Sequence, residues 1–312
     1  MSILTTAQLA ESLFLQPIMI SMNSLVQTLL LSFLMSANGQ LDWRPISICV
    51  ASDILVIGAD HLKDQEDEFT SHHDNVNDRH LVSLFVYAKV FFAVSAVVLG
   101  LTLLLCPIRT LLATAVFVVP ALLWTTPINL KDLRLNLKRL IGIDVFGEDK
   151  HQARKSTLVI KRIPGMKAIF NGIIRGCGLY VVVRTVLFGS GSLNHALPSP
   201  WTSAQLIAWS TVDRVCHAVM TDVRDFENDL KTGVPTIPIL IGSVVKTKLV
   251  LTACHMLVML VFIENPYIMS SCLWATALVW MLGIHSSKRA FWWSTHSRSP
   301  FIIWYFLMRY TA

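Results

Sequence analysis

The sequence predicts an all-α fold: a polytopic membrane bundle of about nine transmembrane helices, read as one domain over residues 1–312. Composition is the first reason. Of 312 residues, 54% are hydrophobic and only 15% charged, whereas a soluble domain carries roughly 25% charged residues. The second reason is the spacing of the apolar runs. At roughly 20 residues per crossing, the chain has room for about eight to ten helices and little else. The third is the placement of charge. The segment from Lys131 to Lys167 holds ten Lys and Arg, and the loops at 60–80, 222–248 and 285–299 hold nine more. The opposite-side loops hold Arg44, Arg109 and Arg309. That bias puts the basic loops in the cytoplasm. An odd number of spans then sets the N-terminus inside and the C-terminus outside.

Taken in order, the apolar runs give spans at 13–35, 45–62, 81–105, 108–126, 166–187, 201–221, 243–263, 266–284 and 300–310. The second span runs into an acidic cluster. The fourth ends irregularly at Trp124-Thr-Thr-Pro127. The fifth carries Arg175 and Arg184, and the sixth Asp213, Arg214 and His217. Ionisable residues inside spans are functional candidates by default. The structural reading is a buried ion pair of Asp213 with an arginine of the fifth span, and a satisfied interhelical role for His217. Gly172, Gly176 and Gly178 suit close helix packing. The ninth span is short, and the stretch from His285 to Pro300 is expected to pack with it.

The net charge of +6 reads as membrane topology rather than as a nucleic-acid surface. The cysteines at 49, 106, 177, 216, 254 and 272 form no CxxC clip, so neither a disulfide framework nor a zinc site is expected. The N-terminal MSILTTAQLAESLF has no basic n-region, which argues against a cleaved signal peptide.

Two constellations carry chemistry. The first reads Asp53-ILVIGA-Asp60-HLK-Asp64-QEDE, with Asp60, Asp64 and Glu68 at intervals of four and Asp53 two turns below. Carboxylates so spaced share a helix face and repel one another unless a cation neutralises them. Mg²⁺ takes such hard oxygen ligands together with substrate phosphates. A solvated acidic helix cap is the alternative for 64–68, and pairing with a membrane arginine the alternative for Asp53. The second constellation is Asp222-VR-Asp225-FEN-Asp229-LKTGVPTIPILIG, where Asp222, Asp225 and Asp229 supply metal ligands and Arg224 and Lys231 lie ready for a diphosphate. Asp213, His217 and Thr221 continue a polar seam upstream at intervals of four. Gly233, Pro235 and Pro238 forbid a continuous helix and predict a fixed bend back toward the membrane. Both motifs end spans four apart, so they reach one membrane face. Trp124 and Trp209 are the aromatic rings placed to stabilise a cation, on the order of 1–2 kcal/mol when desolvated. His217 is the candidate proton acceptor.

These motifs resemble those of the UbiA superfamily of intramembrane prenyltransferases. The second motif is similar to that family's second signature, including the trailing Gly-x-x-Thr-x-Pro-x-x-x-Gly. Leu158-VIKRIPGMK resembles its basic approach to helix five. The first motif departs from the family pattern of Asn and two Asp followed by Asn-Arg-Pro. Here Asp60, Asp64 and Glu68 take those positions, and Asp74-NVN-Asp78-Arg79-His80 replaces the Asn-Arg-Pro segment. In this respect the chain resembles fungal membrane terpene cyclases of the superfamily, those making bergamotene or the cyathane skeleton. The resemblance implies an Mg²⁺-dependent class I terpene cyclase, with Asp60, Asp64, Asp225 and Asp229 catalytic and Arg79, Arg224 and Lys231 on the diphosphate. It implies geranylgeranyl diphosphate as substrate, or farnesyl diphosphate, a cyclic diterpene product of secondary metabolism, and an endomembrane such as the endoplasmic reticulum in a eukaryote. Membrane lipid is the expected surroundings, and no nucleic-acid partner is expected. The enzyme alternative is prenyl transfer to an aromatic or other hydrophobic acceptor. The non-enzyme alternative is a cation transporter.

Overall fold

A computed structural model of the chain describes residues 5–37, 39–72, 79–123, 128–129, 157–158, 163–194 and 196–311. Nine long helices among them answer to the nine expected spans. They are α1 (Thr6–Met35), α2 (Trp43–His72), α3 (Arg79–Leu104), α4 (Ile108–Leu122), α5 (Met166–Gly189), α6 (Ser203–Arg224), α9 (Val244–Val261), α10 (Pro266–Met281) and α12 (Ser299–Thr311). Three short helices sit between them: α7 (Phe226–Thr232), α8 (Ile237–Ile241) and α11 (Lys288–Thr295). A two-residue antiparallel ladder pairs Ile128 with Leu158 and Asn129 with Thr157.

Five of these helices are long and apolar enough to cross a membrane: α1, α2, α3, α5 and α9. Their outward faces are apolar. On α3, Val86, Val90, Val94, Val97, Leu101 and Leu104 are all exposed, a stripe at helical spacing that water would penalise and lipid welcomes. The inward faces of α1, α5, α6 and α10 meet in a core that includes Leu30, Leu31, Val183, Val186, Leu206 and Ile268.

Local chemistry sets the helix ends. Thr5 and Thr202 close capping boxes with Gln8 and Gln205, and Ser243, Asn265 and Ser287 cap α9, α10 and α11. The bend after α7 is as expected. Gly233 adopts φ 69°, and Pro238 stands in the first turn of α8. The Pro235 carbonyl accepts from the Gly165 amide at 3.2 Å, which ties this bend to the start of α5.

Helices α5 and α6 approach each other closely. A Cβ on Gly172 would lie 2.2 Å from Val215 Cγ2, and one on Gly176 2.5 Å from the Thr211 Cα. Only glycine permits that approach. A π-type segment at Ile173–Gly178 lies in the same stretch of α5.

Candidate active site

The second aspartate motif lies at the C-terminal end of α6 and on α7. Asp222 is buried in the last turn of α6, its side chain 2% exposed, and Lys167 Nζ donates to its Oδ1 at 2.8 Å. Lys167 opens α5, and Asp222 ends α6, so the pair clamps two antiparallel helices. Asp225 is half-buried at the α6–α7 junction and accepts from Arg224 Nε at 2.7 Å and Nη2 at 2.5 Å. Asp229 and Lys231 follow on α7. Burial pushes the Asp229 carboxyl above its ordinary value and the Asp225 charge adds to this, while Thr236 and Lys167 oppose it. A divalent cation would relieve that crowding, and the donor set is the hard oxygen type that Mg²⁺ accepts.

The first motif occupies the second half of α2, with Asp60 half-buried and Asp64 exposed. The side chains of Glu68 and Arg79 lie outside the described residues, as does Trp124. Glu66 accepts from Lys89 of α3 at 2.7 Å. Two ion pairs fix the height of the first motif against the second. Arg175 of α5 meets Asp53 of α2 at 3.2 Å. Lys167 is eight residues from Arg175, about 12 Å along α5, and Asp60 is seven residues from Asp53, about 11 Å along α2. These helices run oppositely, so Asp60 stands at about the level of Lys167 and Asp222. Among the described residues, no three His, Cys, Asp or Glu side chains converge closely enough to hold a metal ion. Asp222 and Asp225 instead have basic side chains as counter-charges.

Below the motifs a buried polar belt crosses the bundle. Asp213 Oδ2 lies 2.9 Å from Arg298 Nε and 3.3 Å from Arg214 Nη2. Arg298 also donates to Gln27 of α1 at 2.8 Å, and Arg214 to the Thr295 carbonyl at 3.0 Å. Asp53 accepts from Ser24, one turn from Gln27 on α1. The expectation for Asp213 therefore needs correcting. Its partner comes from the junction of α11 and α12, and the α5 arginine goes to Asp53. Arg298, counted with a basic loop in the sequence, is 1% exposed.

Trp209 is packed beside Trp201, donates through Nε1 to Ser271 at 3.3 Å, and carries the Arg298 guanidinium 5.4 Å from its ring centre. Its face thus already holds a cation. His217 Nε2 lies 3.0 Å from Ser294 Oγ and 3.3 Å from Thr295 Oγ1. The polar seam on α6 divides between two faces. Asp213 and Asp222 are nine residues apart, about 180° at 100° per residue. Asp222 faces α5, while Asp213, His217 and Met220 line a cavity against α9, α10 and the α11 segment. Lys167 closes the Leu158-VIKRIPGMK motif and Arg298 belongs to none, and the pairing of neither is legible from a motif. Their partners lie 55 and 85 residues away in sequence.

No protein-family model matches the chain, and no curated protein matches it. Among solved structures, a UbiA homolog from Archaeoglobus fulgidus, bound to GPP and Mg²⁺, superposes with a TM-score of 0.55. The match covers 96% of this chain and 98% of that one at 14% identity. The chain has the UbiA fold. At this identity the likeness is one of architecture, and it spans the chain from end to end.

Proposed function

We propose that the chain is a Mg²⁺-dependent intramembrane enzyme that ionises a prenyl diphosphate. The observation that carries this reading is the end of α6. There three carboxylates, Asp222, Asp225 and Asp229, alternate with Lys167, Arg224 and Lys231. A fold shared with a UbiA homolog that binds GPP and Mg²⁺ supports it. Asp60 and Asp64 on α2 and Asp225 and Asp229 on α6–α7 are the carboxylates to hold Mg²⁺. When bound, Mg²⁺ supplies Lewis-acid stabilisation of the leaving diphosphate. Asp222 is committed to Lys167, and we assign it the holding of that ammonium toward the diphosphate. Arg224 and Lys231, with Arg79 from the start of α3, complete the basic side of the site.

Cleavage of the C–O bond leaves an allylic cation. The altered first motif, which lacks Asn-Arg-Pro, favours cyclisation by the substrate's own double bonds, as in the fungal cyclases the sequence resembles. Geranylgeranyl diphosphate is the first substrate to test and farnesyl diphosphate the second. A second reading, transfer to an aromatic or other hydrophobic acceptor, is favoured by Trp209. Arg298 already covers that ring, so a carbocation guided there would meet a guanidinium. The deciding assay supplies purified protein with a series of prenyl diphosphates and Mg²⁺ and no acceptor. A cyclic hydrocarbon plus free diphosphate supports the cyclase. Coupling to an added phenol or quinone precursor without any cyclised product replaces it with the transferase. No diphosphate release from any member of the series, with or without acceptor, refutes the enzyme reading.

A further inference from the structure

Arg184 is the arginine of the fifth span that neither the aspartate motifs nor the buried belt uses. It stands on α5 seventeen residues beyond Lys167, about 25 Å along the axis, and so toward the end of the bundle opposite those motifs. Five residues, about 7 Å, separate it from the helix end at Gly189. Its side chain is exposed and belongs to the outward stripe of α5. Ile173, eleven residues or three turns earlier, and Phe188, one turn later, are exposed as well. An arginine in a stripe that faces hydrocarbon is costly unless its guanidinium reaches the interface or meets a counter-charge.

Helix α4 brings a second guanidinium to the same place. A Cβ on Gly189 would lie 2.1 Å from Pro107 Cγ, so the start of α4 rests directly on the end of α5. Arg109, in the first turn of α4, is exposed, and its Cζ lies 5.7 Å from the centre of the Phe188 ring. Phe188 is thereby flanked by both arginines, Arg109 over its ring and Arg184 one turn before it on the same helix face. The surroundings are apolar and open: Leu104, Leu105, Ile108 and Leu112 are all exposed. Among the described residues no ion pair engages either arginine. Of the carboxylates at this end among them, Asp42 is held by Arg44 at 2.6 Å. Glu264 lies in the turn between α9 and α10, helices that pack on each other and on α6. Two positive charges therefore face lipid without a protein counter-charge. The bias of basic loops does not account for them, because they lie at the opposite end of the bundle.

We propose that Arg109 and Arg184 bind the phosphate of an anionic phospholipid, whose acyl chains lie along the apolar surface of α4 and α5. A guanidinium is a planar fork that pairs two phosphate oxygens at once, which an ammonium cannot do. The exposed leucines and Phe188 match the hydrocarbon below the headgroup. Charge selects the lipid. A zwitterionic headgroup carries an ammonium toward two guanidiniums, whereas an anionic one brings negative charge alone. Bound there, the lipid joins the start of α4 to the end of α5. The inference goes beyond the enzyme reading and does not depend on it.

The test uses the full chain in a non-ionic detergent, as wild type, Arg109→Gln/Arg184→Gln and Arg109→Lys/Arg184→Lys. Each receives phosphatidylglycerol or phosphatidylcholine at one mole fraction, or inorganic phosphate alone. Bound lipid is counted by native mass spectrometry, and unfolding is followed with a thiol-reactive fluorophore. Phosphatidylglycerol is expected to raise the wild-type unfolding temperature by about 2–4 °C more than phosphatidylcholine does. The Gln variant should bind phosphatidylglycerol about 30-fold more weakly, from roughly fivefold for each cation at a membrane surface, and should lose the difference between the two lipids. Inorganic phosphate, which has no acyl chains, should give no rise. Equal wild-type responses to the two phospholipids, the result of snorkelling alone, overturn the proposal. So does an undiminished preference for phosphatidylglycerol in the folded Gln variant, and so does phosphate that stabilises as well as the lipid. If the Gln variant does not fold, the Lys variant decides in its place. It keeps both charges and loses the forks, so its phosphatidylglycerol affinity should fall by roughly threefold, and an affinity equal to that of the wild type overturns the site.

Discussion

Asp213→Asn tests the buried belt most directly, because it changes charge while nearly conserving shape. The carboxylate lies between Arg298 and Arg214, and the three side chains are 6%, 1% and 2% exposed. The triad carries a formal charge of +1, and the substitution raises it to +2 inside the bundle. Removing one partner of a buried ion pair costs about 3–5 kcal/mol, since the partner charge loses its compensation while its desolvation penalty stays. At 1.4 kcal/mol per decade, that is roughly two to four orders of magnitude in the folding equilibrium. Arg298→Met should cost less. It leaves the neutral Asp213–Arg214 pair and forfeits the Gln27 bond and the Trp209 ring contact, together about 1–2 kcal/mol. The double variant returns the cluster to +1, so its loss should fall short of the summed single losses by about 1–3 kcal/mol. Unfolding in detergent can be followed with a thiol-reactive fluorophore, because Cys49, Cys216 and Cys272 are buried. Wild-type stability in Asp213→Asn, or strict additivity in the double variant, would refute the reasoning.

Further outcomes follow from other contacts. Gly176→Ala should destabilise by about 1–3 kcal/mol, because its Cβ would come within 2.6 Å of the Thr211 backbone. Gly100→Ala, which meets nothing within 4 Å, should cost nothing in the same unfolding assay. Asp60→Ala and Asp225→Ala should each remove most diphosphate release without preventing membrane insertion, as should a chelator reversed by Mg²⁺; full turnover in folded Asp225→Ala would refute the metal assignment. Asp229→Asn should unfold no earlier than wild type in chelator, since a carboxyl whose native value is raised is penalised when ionised above that value and relieved when neutral. The same variant should lose any rise in unfolding temperature that Mg²⁺ plus prenyl diphosphate gives the wild type. Cysteine labels at Ser192 and Thr232 should be reachable from opposite faces of the membrane, and labelling of both from one side would break the topology.

What was legible in the sequence is what local pattern encodes. Apolar runs gave every long helix, and Gly233, Pro235 and Pro238 gave the bend between α7 and α9. The span 45–62 proved too short because hydropathy stops where the acidic ladder begins, whereas the backbone continues as helix to His72. For the span 108–126, α4 runs to Leu122, and 124–126 lie outside the described residues. Pairings between distant residues were not legible. Arg298 reads as a loop charge because nothing within a helical turn explains it. Its partners, Gln27 and Asp213, lie 271 and 85 residues away. The 285–300 stretch was expected to pack with the last span, whereas α11 packs against α1 and α6, where it buries Phe291, Ser294 and Thr295.

Stability alone is a poor account of the charged belt. A buried ion cluster replaced by hydrophobic residues of similar volume is often neutral or stabilising. Its consequence is better sought in the phase of α6. That helix is held on two opposite faces. Toward α5, Gly172 and Gly176 admit Val215 and Thr211, and Lys167 grips Asp222. Toward the C-terminal segment, Arg298 holds Asp213, Ser294 and Thr295 hold His217, and the Arg224 guanidinium lies 5.5 Å above the Phe291 ring. A slip of one residue would rotate α6 by about 100°. It would break both sets together, leaving Asp213 and Asp222 buried without counter-charges, at several kcal/mol each. A smooth apolar helix would resist such a slip far less, because one leucine surface packs nearly as well as the next. The belt therefore fixes the direction in which Asp225 and Asp229 leave the end of α6. In the proposed function that carboxylate pair meets a second pair on α2, and such a role needs the direction defined more than it needs additional stability.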